Sequence, residues 1–220
     1  MNPTRANKIL QILKDNFATP QWATSKRTPF QTLIITIISQ NTTGKNTTKA
    51  FEVLSKKFEI TPEALAKTDL REIEDALRVA GLFRNKAKVI KRVSQIVLDK
   101  FNGSLDFVFS KPFEETRKML LTLPGVGPKT ADVVLLFSAG KATIPVDTHV
   151  NRVSKRLGLA HPEADYEDVR IALQSLYAIE DFLAVHLLLI ALGRKYCKAL
   201  RPICKQCPLD SLCPSRRIED

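Results

Sequence analysis

A chain of 220 residues with 34 Lys and Arg against 23 Asp and Glu carries a formal charge of +11 at pH 7, which favours a polyanionic partner. Hydrophobic residues make up 44% and charged ones 26%, the balance of a globular protein long enough for one large domain or two small ones. The longest apolar run, Phe182 to Leu192, is broken by His186 and is too short to span a bilayer. No secretory signal is visible either, so the expectation is a cytoplasmic protein with no membrane role. Charge alone does not decide for nucleic acid, because thermophilic and ribosome-associated proteins are also basic.

The elements read as helices throughout. Residues 3–16 form an amphipathic segment with Ile9, Leu10, Ile12, Leu13 and Phe17 along one side. Thr28-Pro29 and Thr61-Pro62 each set a capping residue before a proline suited to the first helical position. Asp69 with Glu72 makes a pattern like a capping box. Further helices are expected over 29–40, 44–58, 62–67, 70–79, 84–100, 112–121, 128–138, 148–157, 163–176 and 181–193. No segment alternates as a strand would, so the fold class is all-α. The stretches TLIITIIS (32–39) and ADVVLLF (131–137) are apolar nearly all round and should be central, buried helices.

Before the second of these lies LPGVGPK, Leu123 to Lys129. Pro124 and Gly125 suit the middle of a type II turn, Gly127 can cap, and Pro128 can start the helix. A plain turn with a snorkelling lysine accounts for this stretch in isolation. Lys129, however, stands in the first turn of a helix, where its charge opposes the dipole. Backbone amides at Gly125, Val126 and Gly127 would also be a natural phosphate-binding arrangement. The second reading gives the amides a nucleic-acid backbone and the lysine a substrate. Downstream, PVDTHVNR (145–152) offers Asp147 either as an N-cap for a helix at Thr148 or as a functional carboxylate; one bond could serve both ends by fixing its direction. His149 is read as structural.

The four cysteines, Cys197, Cys204, Cys207 and Cys213, lie in C-x6-C-x2-C-x5-C spacing. Four thiols in one short loop of a cytoplasmic chain point to metal rather than disulfides. By generic chemistry both a structural zinc and an iron–sulfur cluster accept such ligands. Arg194, Lys195, Lys198, Arg201 and Lys205 surround them. These cations could offset an anionic cluster, grip DNA phosphates, or do both.

Taken together, LPGVGPKTADVV, PVDTHVNR and the cysteine spacing resemble the endonuclease III branch of the helix-hairpin-helix base-excision DNA glycosylases, from about Pro29 to Cys213. The resemblance implies two helical lobes flanking a DNA groove. One is a six-helix barrel with the hairpin over 29–141. The other is a discontinuous domain of 1–28 and 142–220, holding a [4Fe–4S] cluster on the loop 197–213. Lys129 and Asp147 would face each other across the cleft of a monomer bound to damaged double-stranded DNA.

Such enzymes flip the damaged nucleotide out of the duplex. In that family Lys129 would displace the base from C1′ and form a Schiff base, with strand cleavage by β-elimination, while Asp147 accepts the lysine proton and stabilises charge on the sugar. An unperturbed lysine, of pKa roughly 10.4, is neutral in about one molecule in a few thousand at pH 7, so desolvation must favour the free amine.

The resemblance also gives Gln40 of SQNTT and Leu82 of AGLFRNKA the task of filling the gap that flipping leaves. Otherwise they are a helix stop and a core leucine. Thr43 stands where bacterial members carry an aspartate. Related thymine-mismatch enzymes have tyrosine at the lysine position, so Lys129 favours a bifunctional DNA glycosylase and AP lyase acting on damaged, oxidised pyrimidines. Adenine-removing relatives generally lack this lysine and carry an extra C-terminal domain, so this chain is not expected to be one of them. The alternatives are a monofunctional uracil or mismatched-thymine glycosylase and a non-catalytic iron–sulfur DNA-binding protein. Mere binding would require neither Lys129 nor Asp147.

Overall fold

The computed structural model describes residues 3–18, 20 and 26–216. All regular structure among the described residues is helical: α1 (Pro3–Asn16), α2 (Pro29–Ser39), α3 (Gly44–Lys57), α4 (Pro62–Lys67), α5 (Leu70–Leu77), α6 (Phe83–Phe101), α7 (Phe107–Ser110), α8 (Phe113–Leu121), α9 (Pro128–Ala139), α10 (Thr148–Arg156), α11 (Tyr166–Leu176) and α12 (Phe182–Lys195), with short 3-10 turns between some of them.

Local capping sets most of the starts. Thr28 Oγ1 accepts from the Gln31 N–H at 3.1 Å, and the Gln31 side chain accepts from the Thr28 N–H in return, a complete capping box ahead of Pro29. Thr61 caps α4 through the Ala64 N–H at 3.3 Å. Asp69 caps α5 through the Arg71 N–H at 2.8 Å, one residue earlier than its spacing to Glu72 predicts. Helix α11 begins at Tyr166 rather than at 163, because Asp165 and Asp168 form a second capping box. Helix α7 has no counterpart among the expected elements. At four residues it is a single turn, too short for any periodicity to mark it.

The chain divides into two compact units, Lys26–Lys141 and a second that joins Met1–Ser25 to Ala142–Asp220. In the first, α2 buries Phe30, Leu33, Ile34, Ile37 and Ile38, and α9 buries every residue from Thr130 to Leu136. The two helices pack directly on one another, as their all-round apolar character requires. Helix α6 closes the unit against α4 and α5, through Ile90, Val93 and Val97. In the second unit α12 packs against both α1 and α10, burying Val185, Leu188, Leu189 and Leu192. Arg5 of α1 donates to the carbonyls of Leu157 and Leu212 at 2.8 and 2.7 Å, which ties the end of α10 to the cysteine loop. No helix among the described residues is long and apolar enough to cross a membrane.

Candidate functional site

The hairpin of the first unit is built from α8, the turn Leu123–Gly127 and α9. Gly125 has φ +73°, the left-handed value that position i+2 of a type II turn demands. The Val126 N–H closes this turn onto the Leu123 carbonyl at 3.2 Å, and the Val126 side chain is buried. Val126 therefore cannot present its amide to a phosphate, a correction to the expectation of three outward amides. The Gly125 and Gly127 amides donate to nothing among the described residues. Both residues are exposed. Lys129 follows in the first turn of α9, half-buried. Three residues on, Asp132 is fully buried and takes the Arg117 guanidinium at 2.8 and 3.3 Å on its two carboxylate oxygens. This bidentate pair locks α8 to α9 and sets the hairpin's angle.

Two further loops lie in the same unit. Gln40 ends α2, and its Nε2 donates to the Gly125 carbonyl at 3.0 Å, so the glutamine is fastened to the hairpin turn. Leu82 sits in the left-handed region at φ +46° with 59% of its surface exposed. An inward-packing leucine is thus excluded. A bulky residue in this conformation and in water is strained and unburied, a combination that recurs at functional sites. Thr43 caps α3, its Oγ1 accepting from the Asn46 N–H at 3.2 Å; an aspartate there would make the same bond.

Beneath these loops is a residue that the sequence reading passed over. Lys86 of α6 is 5% exposed, and its Nζ donates to the carbonyls of Ile38 and Ala80, each at 2.8 Å. Burial pushes its pKa down, while two carbonyls at helical C-termini favour the charge. A signal existed: Lys86, Ile90, Val93 and Val97 share one face of α6 at helical spacing, so a lysine stood in the apolar stripe.

In the second unit Asp147 is the N-cap of α10. Its Oδ1 accepts from the N–H groups of His149 and Val150, both at 2.8 Å, and Oδ2 accepts from nothing among the described residues. The capping bonds fix the carboxylate's direction and leave one oxygen available. Gly193 of α12 lets the two helices approach here, since a Cβ at 193 would stand 2.9 Å from His149 Cβ. Arg152 is held against this contact, donating to the Gly193 carbonyl at 3.2 Å and facing His149 Nδ1 at 3.2 Å. Arginine has donors only, so that nitrogen acts as acceptor on a neutral ring. Burial, mainly, lowers the His149 pKa; Arg152 and Arg194 add to this and Asp147 opposes it.

The four cysteines are unpaired and partly buried and line one cavity of about 30 Å³ together with Arg156, Tyr196 and Ile203. Burial pushes the Cys207 thiol up to about 11, helped by the other three sulfurs, and raises Cys213 as well. Among the described residues no group of three or more His, Cys, Asp or Glu is arranged to hold a metal ion. Helix α10 grips the loop from the side. Arg152 Nε donates to the Cys197 carbonyl at 3.0 Å, and Arg156 donates to the carbonyls of Lys198 and Ala199 at 2.6 and 3.0 Å. Arg194, Lys198 and Lys205 are all exposed.

Comparison with known proteins gives the family. Residues 34–178 match the HhH-GPD superfamily of base excision DNA repair proteins. The chain is 40% identical to endonuclease III of Sulfolobus acidocaldarius over 188 residues, covering 85% of this chain and 82% of that one. It is 35% identical to endonuclease III of Bacillus subtilis over 192 residues, covering 87% and 84%. The chain belongs to the endonuclease III family. A solved structure of a trapped endonuclease III–DNA covalent intermediate shares the fold with a TM-score of 0.84 at 34% identity, covering 98% of this chain and 97% of that one. Like its family, this chain is a DNA glycosylase and AP lyase of base-excision repair.

Two features of this endonuclease III family member, Lys86 and the Arg117–Asp132 pair, escaped sequence reasoning. Asp132 was visible as a single charge inside ADVVLLF. Its partner was not, because helical packing brings Arg117 to it from across the hairpin.

Proposed function

We propose that this chain removes oxidised pyrimidines from duplex DNA with Lys129 as nucleophile, and then cuts the strand. The observation that carries the reading is Lys129 in the first turn of α9, directly after a turn with two unengaged glycine amides. Those amides, at the positive end of the helix dipole, bind a phosphate of the damaged strand and so position the sugar. Lys129 Nζ, unprotonated, attacks C1′. The glycosidic C–N bond breaks and the base departs, taking a proton from water; Nζ gives up a proton, and cleavage of the C1′–O4′ bond, with O4′ protonated, opens the sugar ring and leaves an iminium between Nζ and C1′. Loss of a C2′ proton then expels the 3′ phosphate oxygen, which is the lyase step. Asp147, capping α10 through Oδ1, takes the lysine proton on Oδ2 and stabilises positive charge on the sugar. Gln40 and Leu82 fill the space the nucleotide vacates, and Leu82's exposure and left-handed backbone support that role. Arg194, Lys198 and Lys205 add phosphate contacts that make binding salt-dependent.

The donor set of the cysteine loop suits a [4Fe–4S] cluster, which takes four thiolates. All four cysteines line a common cavity, and four partly buried sulfurs that oppose one another's ionisation are stable together as thiolates only against a compensating cationic core. Cys197, Cys204, Cys207 and Cys213 would hold it, and when bound it would organise the loop. The glycosidic chemistry is assigned to Lys129 and Asp147 alone.

Borohydride trapping on a duplex with one oxidised pyrimidine tests the assignment. Wild type becomes covalently joined to the DNA and Lys129→Ala does not. Release of free base without trapping would instead mean that water is the nucleophile, and trapping of Lys129→Ala would move the Schiff base to another amine.

A further inference from the structure

The gap-filling side chains Gln40 and Leu82 sit on loops separated by some forty residues of chain, yet each loop is rooted on the same buried ammonium. Ile38, whose carbonyl accepts from Lys86 Nζ, is two residues before Gln40; Ala80, whose carbonyl accepts the second bond, is two residues before Leu82. The backbone adds a third link, from the Lys86 N–H to the Leu82 carbonyl at 3.1 Å. Gln40 in turn reaches the Gly125 carbonyl of the hairpin. One continuous set of hydrogen bonds therefore runs from the Leu82 loop through Lys86 to the Gln40 loop and on to the phosphate-binding turn.

We propose that Lys86 is a positioning residue that clamps the two loops at a fixed separation, so that Gln40 and Leu82 enter the duplex as one unit. A single ammonium satisfying two loop roots couples them mechanically. Apolar packing alone would let each move separately. The charge is held by carbonyls at the C-terminal ends of α2 and of the 3-10 turn Arg78–Ala80, where cations are favoured. No third partner competes for its direction among the described residues. Leu82's left-handed backbone, costly to a free loop, is the kind of conformation that persists only when its surroundings over-determine it. Lys86 acts through the loops and touches neither the sugar nor the base. The inference rests on the gap-filling reading of Gln40 and Leu82.

The test uses a duplex with a tetrahydrofuran abasic analogue and 2-aminopurine opposite it. Anisotropy gives the affinity, and 2-aminopurine emission at saturating protein reports how far the partner base is unstacked. Wild type raises the emission. Lys86→Met is expected to cut that rise at least about twofold while affinity, carried by phosphate contacts, changes less than about threefold. Lys86→Arg, which can again donate to both carbonyls, restores most of it. Gln40→Ala and Leu82→Ala each lower the rise in wild type but add little in the Lys86→Met background, the non-additivity expected of a shared element. If Lys86→Met is unfolded at the assay temperature, Lys86→Gln replaces it.

An undiminished rise with Lys86→Met overturns the clamp. So does a loss in which affinity and emission fall together and the loop substitutions stay additive, since that pattern reports only damaged folding. If Gln40→Ala and Leu82→Ala leave the wild-type rise untouched, the gap-filling reading has failed and the clamp falls with it, a result distinguishable because it appears before Lys86 is altered.

Discussion

Replacing Gly125 by alanine separates the structural demand of the hairpin turn from its chemical one. Gly125 is at φ +73°, and a non-glycine residue in that region costs about 1–2 kcal/mol. A Cβ there would also lie 2.7 Å from Val89 Cγ1, an overlap with a stiff side chain of α6, worth about 1–3 kcal/mol as overpacking. The stiffer unfolded chain returns about 0.4–1 kcal/mol. The net is a loss of about 3 kcal/mol, or about 6–12 °C in Tm for a chain of this size.

Gly127 provides the contrast. It sits at φ −94°, and a Cβ there meets nothing within 4 Å. Gly127→Ala should alter stability by less than about 0.5 kcal/mol, a weaker N-cap being offset by the stiffer unfolded chain, yet weaken binding to an abasic-analogue duplex several-fold by standing a methyl before the amide. Urea unfolding gives the stabilities and anisotropy the affinities. Adding Val89→Ala removes the overlap but not the backbone cost, so the double variant should show a favourable coupling of about 2 kcal/mol. Strict additivity of Gly125→Ala and Val89→Ala would refute the close approach. Unchanged DNA affinity in Gly127→Ala would refute the use of this amide.

Other expectations follow from the second unit. Asp147→Asn keeps an oxygen for the His149 and Val150 N–H groups but not the charge. It should retain Tm within about 2 °C while losing at least about 100-fold in base release, whereas Asp147→Ala also gives up about 1 kcal/mol of capping; equal activity of Asn and wild type would remove the carboxylate from the chemistry. Because burial lowers the His149 pKa in the fold, the unfolded chain binds its proton more readily. Stability is therefore full above about pH 6.5 and falls as pH drops below it, and a His149→Gln variant should show a flatter urea midpoint between pH 7 and pH 5. A steeper profile in the variant would contradict the burial argument. Cys207→Ser should lower iron content below four per chain and loosen the bonds from Arg152 and Arg156 to the cysteine loop, seen as faster amide exchange over 197–213 than over α2 and α9; unaltered iron would exclude Cys207 as a ligand.

Much of this protein is written in local sequence. Thr28-Pro29, Thr61-Pro62 and the all-round apolar α2 and α9 specify their helices within a few residues, because capping and periodicity act over one or two turns. The turn at Gly125, the nucleophile candidate Lys129, the capping carboxylate Asp147 and the cysteine spacing were legible for the same reason: each is a short pattern whose chemistry depends on nearest neighbours.

What only the tertiary structure decided is how polar groups are satisfied across large sequence distances. Lys86 and Asp132 stand out in sequence only as single charges among apolar helical positions, and their partners Ile38, Ala80 and Arg117 appear only once the helices pack together. The Val126 amide reads as available until the turn closes on Leu123. Leu82 reads equally as core or surface until the left-handed backbone turns it outward. Even α10, whose cap is local, takes its second role from Arg152 and Arg156 reaching the cysteine loop some forty residues away. A buried donor must find an acceptor wherever the fold supplies one, and sequence neighbours do not reveal where that is.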